Sequence, residues 1–225
     1  MNTAQQTEHN YVDPAGPMAL VNLVFSSYVV LSAIGIGLDL MSLNALALHG
    51  SSFGYETQTV LRNLMTYLIP CLLIAMAISF LVWFQTCRNN LQPLGASYLT
   101  MRPLDAMESF VYPVLNLFRP PQILDEIWKA SDPNKQDTYD STETNQYIRY
   151  WWICWLLTWV AQIGVSFLAE VLIPDSMDPT HVVGRYLGSI AFQVVSIVAA
   201  ALAIVLVTKT SERQAQRYAK FIKAQ

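Results

Sequence analysis

Residues 186–207 read YLGSIAFQVVSIVAAALAIVLV, and no Asp, Glu, Lys or Arg interrupts them. A helix rises about 1.5 Å per residue, so this stretch covers the roughly 30 Å of hydrocarbon in a bilayer. Three more apolar blocks meet the same condition, approximately Met18 to Leu40, Leu64 to Phe84 and Tyr150 to Ile173. The composition agrees: 53% of residues are hydrophobic, 13% are charged, and the mean hydropathy is positive. That balance fits a bilayer solvent rather than a soluble core of the same length. The expected fold is therefore all-α and polytopic, with four transmembrane helices. Residues 1–17 form an N-terminal tail, 18–208 the membrane domain with a long loop at 87–149, and 209–225 a basic C-terminal helix. The first seventeen residues contain no Lys or Arg. The block behind them is about twice as long as a signal-peptide core, so the first helix is expected to remain.

Cations give the spans a direction. Six lie in or beside the loop between the second and third spans (Arg88, Arg102, Arg119, Lys129, Lys135, Arg149), and five follow the fourth span. Only Arg62 and Arg185 belong to the opposite face. The positive-inside rule then makes the long loop and the C-terminus cytoplasmic, and an even number of crossings puts the N-terminus there too. Aromatic residues bracket the hydrocarbon, with Trp83 and Phe84 ending the second span and Tyr150, Trp151 and Trp152 opening the third. Asp39 falls about 31 Å beyond Met18 along a helix, which predicts a solvated position at the outer surface.

Inside the spans, Ser32, Gln162 and Gln193 arrive at similar depth, close to Pro70. Polar side chains in hydrocarbon turn toward other helices and hydrogen-bond there. They read either as structural glue or as a midplane site for a transported solute. No Asp, Glu, Lys or Arg is expected at that depth, which counts against ion-coupled transport. Gly184 and Gly188 form a GxxxG at the outer end of the fourth span, where another helix backbone could approach. Trp151, Trp155 and Trp159 make a stripe along the third span, read as packing or lipid interface.

Several function classes lose support. The basic residues are not interleaved with aromatics as a nucleic-acid groove requires. Cys71, Cys87 and Cys154 form no CxxC pair and read as small apolar fillers. His49 and His181 lie near carboxylates in the outer segments, but no HxH or HxxxH spacing fixes a metal site. Neither a cofactor nor a catalytic constellation is expected, and the cytoplasmic loop contains no His.

The loop holds the most information. Asp105 to Phe118 is apolar but interrupted by Pro113 and shorter than a span, so it is expected to lie on, or re-enter, the inner leaflet. Arg119-Pro120-Pro121 pre-sets a helix start. A short helix follows over 122–130, with Ile123, Ile127 and Ala130 on one side, and Ser131-Asp132-Pro133 ends it. The polar run to Asn145 reads as a tether.

The order Trp83, Arg88-Asn89, Gly95, Pro113, Asn116, Arg119-Pro120, Glu126, Trp128, Ser131-Asp132-Pro133 and Trp151-Trp152, then Trp155, resembles the bacterial membrane family called domain of unknown function 4328. The likeness covers roughly residues 60–207. The chain departs from the pattern at Pro121, where an aromatic is expected, and at Gln85-Thr86-Cys87, which is less basic than usual. The resemblance implies a four-helix domain of the bacterial inner membrane and brings no reaction.

Arg119, Glu126, Trp128 and Asp132 are the candidate contacts for a partner protein or an anionic headgroup. The plainer reading is an ion pair from Arg119 to Glu126 or Asp132 that staples the loop. Lys209, Arg213, Arg217, Lys220 and Lys223 are expected to meet anionic lipid, each contributing about 1 kcal/mol. Together these features predict a non-enzymatic subunit or scaffold of a larger membrane assembly, joined to a membrane protein partner or to copies of itself. The alternative is a transporter or lipid-handling protein with a site near Gln162 and Gln193.

Overall fold

The computed structural model describes residues 11–47, 55–96, 118–134, 145–171 and 179–221, which form five helices. They are α1 (Ala15–Ala47), α2 (Tyr55–Asn89), α3 (Arg119–Ala130), α4 (Gln146–Val171) and α5 (Pro179–Phe221). Three are long and apolar enough to cross a membrane: α1, residues 58–89 of α2, and residues 182–220 of α5. The block expected as the third span falls in α4, a helix of 26 residues.

The helices overrun the blocks from which they were expected. With 43 residues, α5 is about 64 Å long, more than twice the hydrocarbon thickness. No Gly or Pro occurs between Ser189 and Phe221, so nothing stops the helix where its apolar run ends. The basic segment from Lys209 is thus the continuation of α5 and not a separate helix. Similarly, α2 starts nine residues before Leu64 and runs five beyond Phe84. Pro70 sits inside it. The bond lost there is one that membrane helices tolerate when neighbours compensate.

Beyond the end of α2 the chain closes a turn at 91–96. The Ala96 N–H donates to the Leu91 carbonyl at 2.9 Å, and the Gly95 N–H donates to that of Gln92 at 3.0 Å. This is the paired pattern that closes a helical turn on a left-handed residue. Gly95 has φ of 85°, a region where a side chain would be strained.

The short helix α3 begins earlier than expected, at Arg119. Pro120 and Pro121 occupy its first turn, where a missing N–H costs nothing. Its buried face is Pro120, Ile123, Leu124, Ile127 and Ala130. The end is a polar turn, as the sequence suggests: Ser131 Oγ donates to the Ile127 carbonyl at 2.6 Å, and the Asn134 N–H donates to Asp132 Oδ1 at 2.9 Å. The stretch 105–117 and most of the tether at 135–144 lie outside the described residues.

The chain divides into two compact units. One comprises residues 1–24, 76–152 and 202–225 and is called the loop unit below. The other, residues 25–75 and 153–201, is called the span unit. In the loop unit the core is built as in a soluble protein, with Trp83, Phe84, Leu91, Ile127, Leu206 and Val207 fully buried. Phe80 stacks on Trp151 with ring centroids 5.3 Å apart. The span unit buries Phe25, Tyr28, Leu38, Met65, Ala199 and Ala200, while many of its Leu, Ile and Val side chains are exposed. Such a surface is stable against acyl chains, which are as apolar as leucine.

Candidate functional site

Each unit contains a buried polar cluster. In the loop unit, α5 supplies a stripe of Thr210, Ser211, Gln214 and Arg217, all buried. These positions recur every three to four residues and so share one helix face. From them a clamp is built. The Trp83 indole N–H donates to Ser211 Oγ at 2.9 Å. Gln214 donates to the Cys87 carbonyl at 2.9 Å and accepts from Asn90 Nδ2 at 3.1 Å. Arg217, only 2% exposed, donates to the carbonyls of Leu94 and Asp132. One turn earlier, Arg213 pairs with Asp132 at 3.0 Å and lies 4.4 Å over the Trp128 ring. Its Nε also donates to the Trp128 carbonyl at 3.2 Å. Finally, Arg88 on α2 pairs with Glu126 on α3 at 3.0 Å.

This geometry reassigns the expected loop contacts. Glu126, Trp128 and Asp132 do come together around one structure, but Arg119 is not the cation that holds them. Glu126 is held by Arg88, and Asp132 by Arg213. Arg119 is the half-buried first residue of α3. The reason is the unbroken α5, which carries Arg213 and Arg217 into the clamp rather than along a lipid surface. Of the cations expected to meet headgroups, Lys209 and Lys220 are exposed, with Lys209 4.3 Å over the Tyr147 ring. Lys223 lies outside the described residues.

The N-terminal segment is strapped to the same unit. Asn90 reads the backbone of Val12 in both directions, accepting from its N–H at 2.9 Å and donating to its carbonyl at 2.7 Å. Beside it Tyr11 stacks on Tyr218 with centroids 3.9 Å apart. Burial, followed by the charge of Asp13, pushes the Tyr11 phenol well above its ordinary value.

In the span unit the cluster is a clasp of three helices. Asp39 on α1 is 3% exposed, which overturns the solvated position expected for it. Its two carboxylate oxygens are shared between partners. Oδ1 accepts from Arg62 on α2 at 2.8 Å, and Oδ2 accepts from Gln193 on α5 at 2.9 Å. Arg62 also donates to the Leu38 carbonyl at 2.8 Å and to Ser42 Oγ at 2.9 Å, and lies 5.3 Å over the Tyr186 ring. Gln193 completes the set by donating to Ser189 Oγ at 3.0 Å. A charged pair therefore does reach the level of Gln193. Counting residues along α1 alone misplaced it, because depth along one helix does not give its register against another.

The remaining polar-layer residues separate. Ser32 is buried on α1, but Gln162 is exposed on α4. At Gly184 a Cβ would meet nothing within 4 Å, so no described residue of the chain packs closely there. Gly188 is half-buried. The glycine that does permit close approach is Gly35, where a Cβ would run into the Gln193 carboxamide. The sequence signal was Gly35 lying four residues before Asp39, on the same face of α1.

Most donors and acceptors of both clusters meet one another, an arrangement that can hold the helices together. Among the described residues no group of three His, Cys, Asp or Glu could hold a metal ion. Cys71, Cys87 and Cys154 are free thiols, of which only Cys87 is buried. A family model described as a domain of unknown function, DUF4328, matches residues 51–212. No curated protein and no solved structure matches the chain.

Proposed function

The chain belongs to this family, whose description carries no reaction, and from that premise we propose a non-enzymatic role as a subunit or scaffold of a larger membrane assembly. In this reading α4 also crosses, as the third of four spans, and both termini and the loop face the cytoplasm of a bacterial inner membrane.

The observation that supports the reading is Gln162. About ten to twelve residues beyond Tyr150-Trp151-Trp152, it would lie near the bilayer midplane, roughly 15–18 Å from the interface. There it is exposed among exposed Leu157, Trp159, Val160 and Ile163. Lipid covers the apolar four at no cost, but a carboxamide in hydrocarbon needs a hydrogen-bonding neighbour. A protein surface supplies one. Purification in mild detergent with mass measurement of the particle tests this. A particle of two or more chains is expected, and a strict monomer with no companion protein would sink the proposal.

The clasp supports a second reading, transport or lipid handling. An ionisable pair within membrane helices marks a functional site by default, and Asp39 with Arg62 is such a pair. Flux assays on Asp39→Asn and Gln193→Leu separate the two. Loss of flux in a folded variant favours transport, whereas a loss of stability alone favours cohesion.

A further inference from the structure

Between Leu157 and Gly164, α4 has no buried residue: Leu157, Trp159, Val160, Gln162 and Ile163 are exposed and the other three are half-buried. On a helical wheel Leu157 and Val160 share one side, while Thr158 and Gln162 share the other. The first side needs only lipid. On the second, Thr158 satisfies itself by donating to the Trp155 carbonyl at 2.7 Å. Gln162 is the exposed polar side chain left on that face.

Building on the assembly reading, we propose that this face of α4 docks against the same face of a second copy of the chain, with the Gln162 carboxamides hydrogen-bonded across a two-fold axis. A two-fold interface sets a residue near the axis against itself. Few side chains tolerate that in hydrocarbon. Like charges repel, and an apolar residue contributes packing but no hydrogen bond. A carboxamide carries both a donor and an acceptor, so two of them complement each other without any other group. Trp159, 54% exposed next to Gln162 on the wheel, supplies contact area. Its T-shaped approach to Trp155, with centroids 5.8 Å apart, holds it in place.

The test is thiol cross-linking of the full chain in native membranes, with Cys71 and Cys154 replaced by Ala and the buried Cys87 retained. Trp159→Cys reports on the proposed face and Leu157→Cys on the opposite one, and both leave Gln162 in place. The expected result is a cross-linked species of doubled mass from Trp159→Cys, with little from Leu157→Cys. Adding Gln162→Leu should cut its yield about fivefold or more, and Gln162→Asn should restore part of it. Because Gln162 is exposed, adding these substitutions should leave the tryptophan fluorescence of the Trp159→Cys parent unchanged, which separates loss of association from loss of fold.

Cross-linking to a protein of another mass would overturn the second copy and leave the assembly reading standing. Doubled mass that survives Gln162→Leu would overturn the carboxamide pairing alone. No cross-link at Trp159→Cys, together with a monomeric particle, would overturn both.

Discussion

The loop unit and the span unit bury charge to different depths, and the difference shows what each cluster is for. In the clamp, the Arg88 side chain is fully buried and that of Arg213 is 13% exposed, against carboxylates at 20% and 4%. In the clasp, Asp39 is as deep, but the Arg62 side chain remains 36% exposed. Desolvated ion pairs contribute little when intact and are costly to break by halves. The clamp should therefore respond to single substitutions far more than the clasp.

The largest effect is expected at Asp132. Asp132→Ala strips Arg213 of its carboxylate in a nearly dry setting. Breaking a buried pair in this way costs about 3–5 kcal/mol, enough to unfold the loop unit of a marginally stable protein. Thermal unfolding followed by size-exclusion in detergent measures it. Replacing Arg88 and Glu126 together by Met and Leu should cost less than Glu126→Ala alone, since no charge is then stranded. A stable Asp132→Ala protein would place the clamp on the same footing as the clasp.

Gly35→Ala comes next and probes the span unit. The added methyl meets the Gln193 carboxamide. Either the side chain withdraws and its bond to Asp39 is lost, or the helices part. Overpacking of this kind costs about 1–3 kcal/mol. Gly184→Ala, where the new methyl meets open space, should be neutral in the same assay, and the pair of variants isolates the contact from the loss of a glycine.

How much of this the sequence announced depends on the kind of information needed. The apolar blocks, the Arg-Pro start of α3 and its Ser-Asp-Pro stop were legible because local chemistry sets them. Trp128, Glu126 and Asp132 could be singled out because the family resemblance runs through them. The cations that hold Trp128 and Asp132 could not, because Arg213 and Arg217 reach them only if α5 continues unbroken past Val207. That continuation was readable in the absence of Gly and Pro and in the spacing of Thr210, Gln214 and Arg217. The change from apolar to basic composition concealed it. Asp39 failed differently: its burial depends on where α2 and α5 stand against α1, and one chain's hydropathy holds no such register.

Asp39→Asn tests whether the clasp resembles the clamp at all. Asn keeps an oxygen for Arg62, and a guanidinium more than a third exposed recovers solvation. Hydrogen bonds between membrane helices average about 0.6 kcal/mol and reach about 1.7. The loss should stay within that range, well under the Asp132→Ala value. A larger loss would mean that Arg62 depends on the full carboxylate charge.

The smallest effect sets the floor of the comparison. Lys129 and Asp125, one turn apart on α3, form an ion pair of 2.7 Å with side chains 33% and 25% exposed. It is the shortest of the four ion pairs described, and by distance alone it would rank first. Exposure reverses the ranking, because water and salt screen both charges and exposed pairs at this spacing contribute about 0.3–0.5 kcal/mol. Lys129→Gln should therefore shift thermal stability by no more than a degree or two. Raising salt from 0.1 to 1 M should erase even that, while leaving the penalty of Asp132→Ala largely intact. If the two variants respond alike to salt, burial does not separate these ion pairs and the contrast between the units fails at its base.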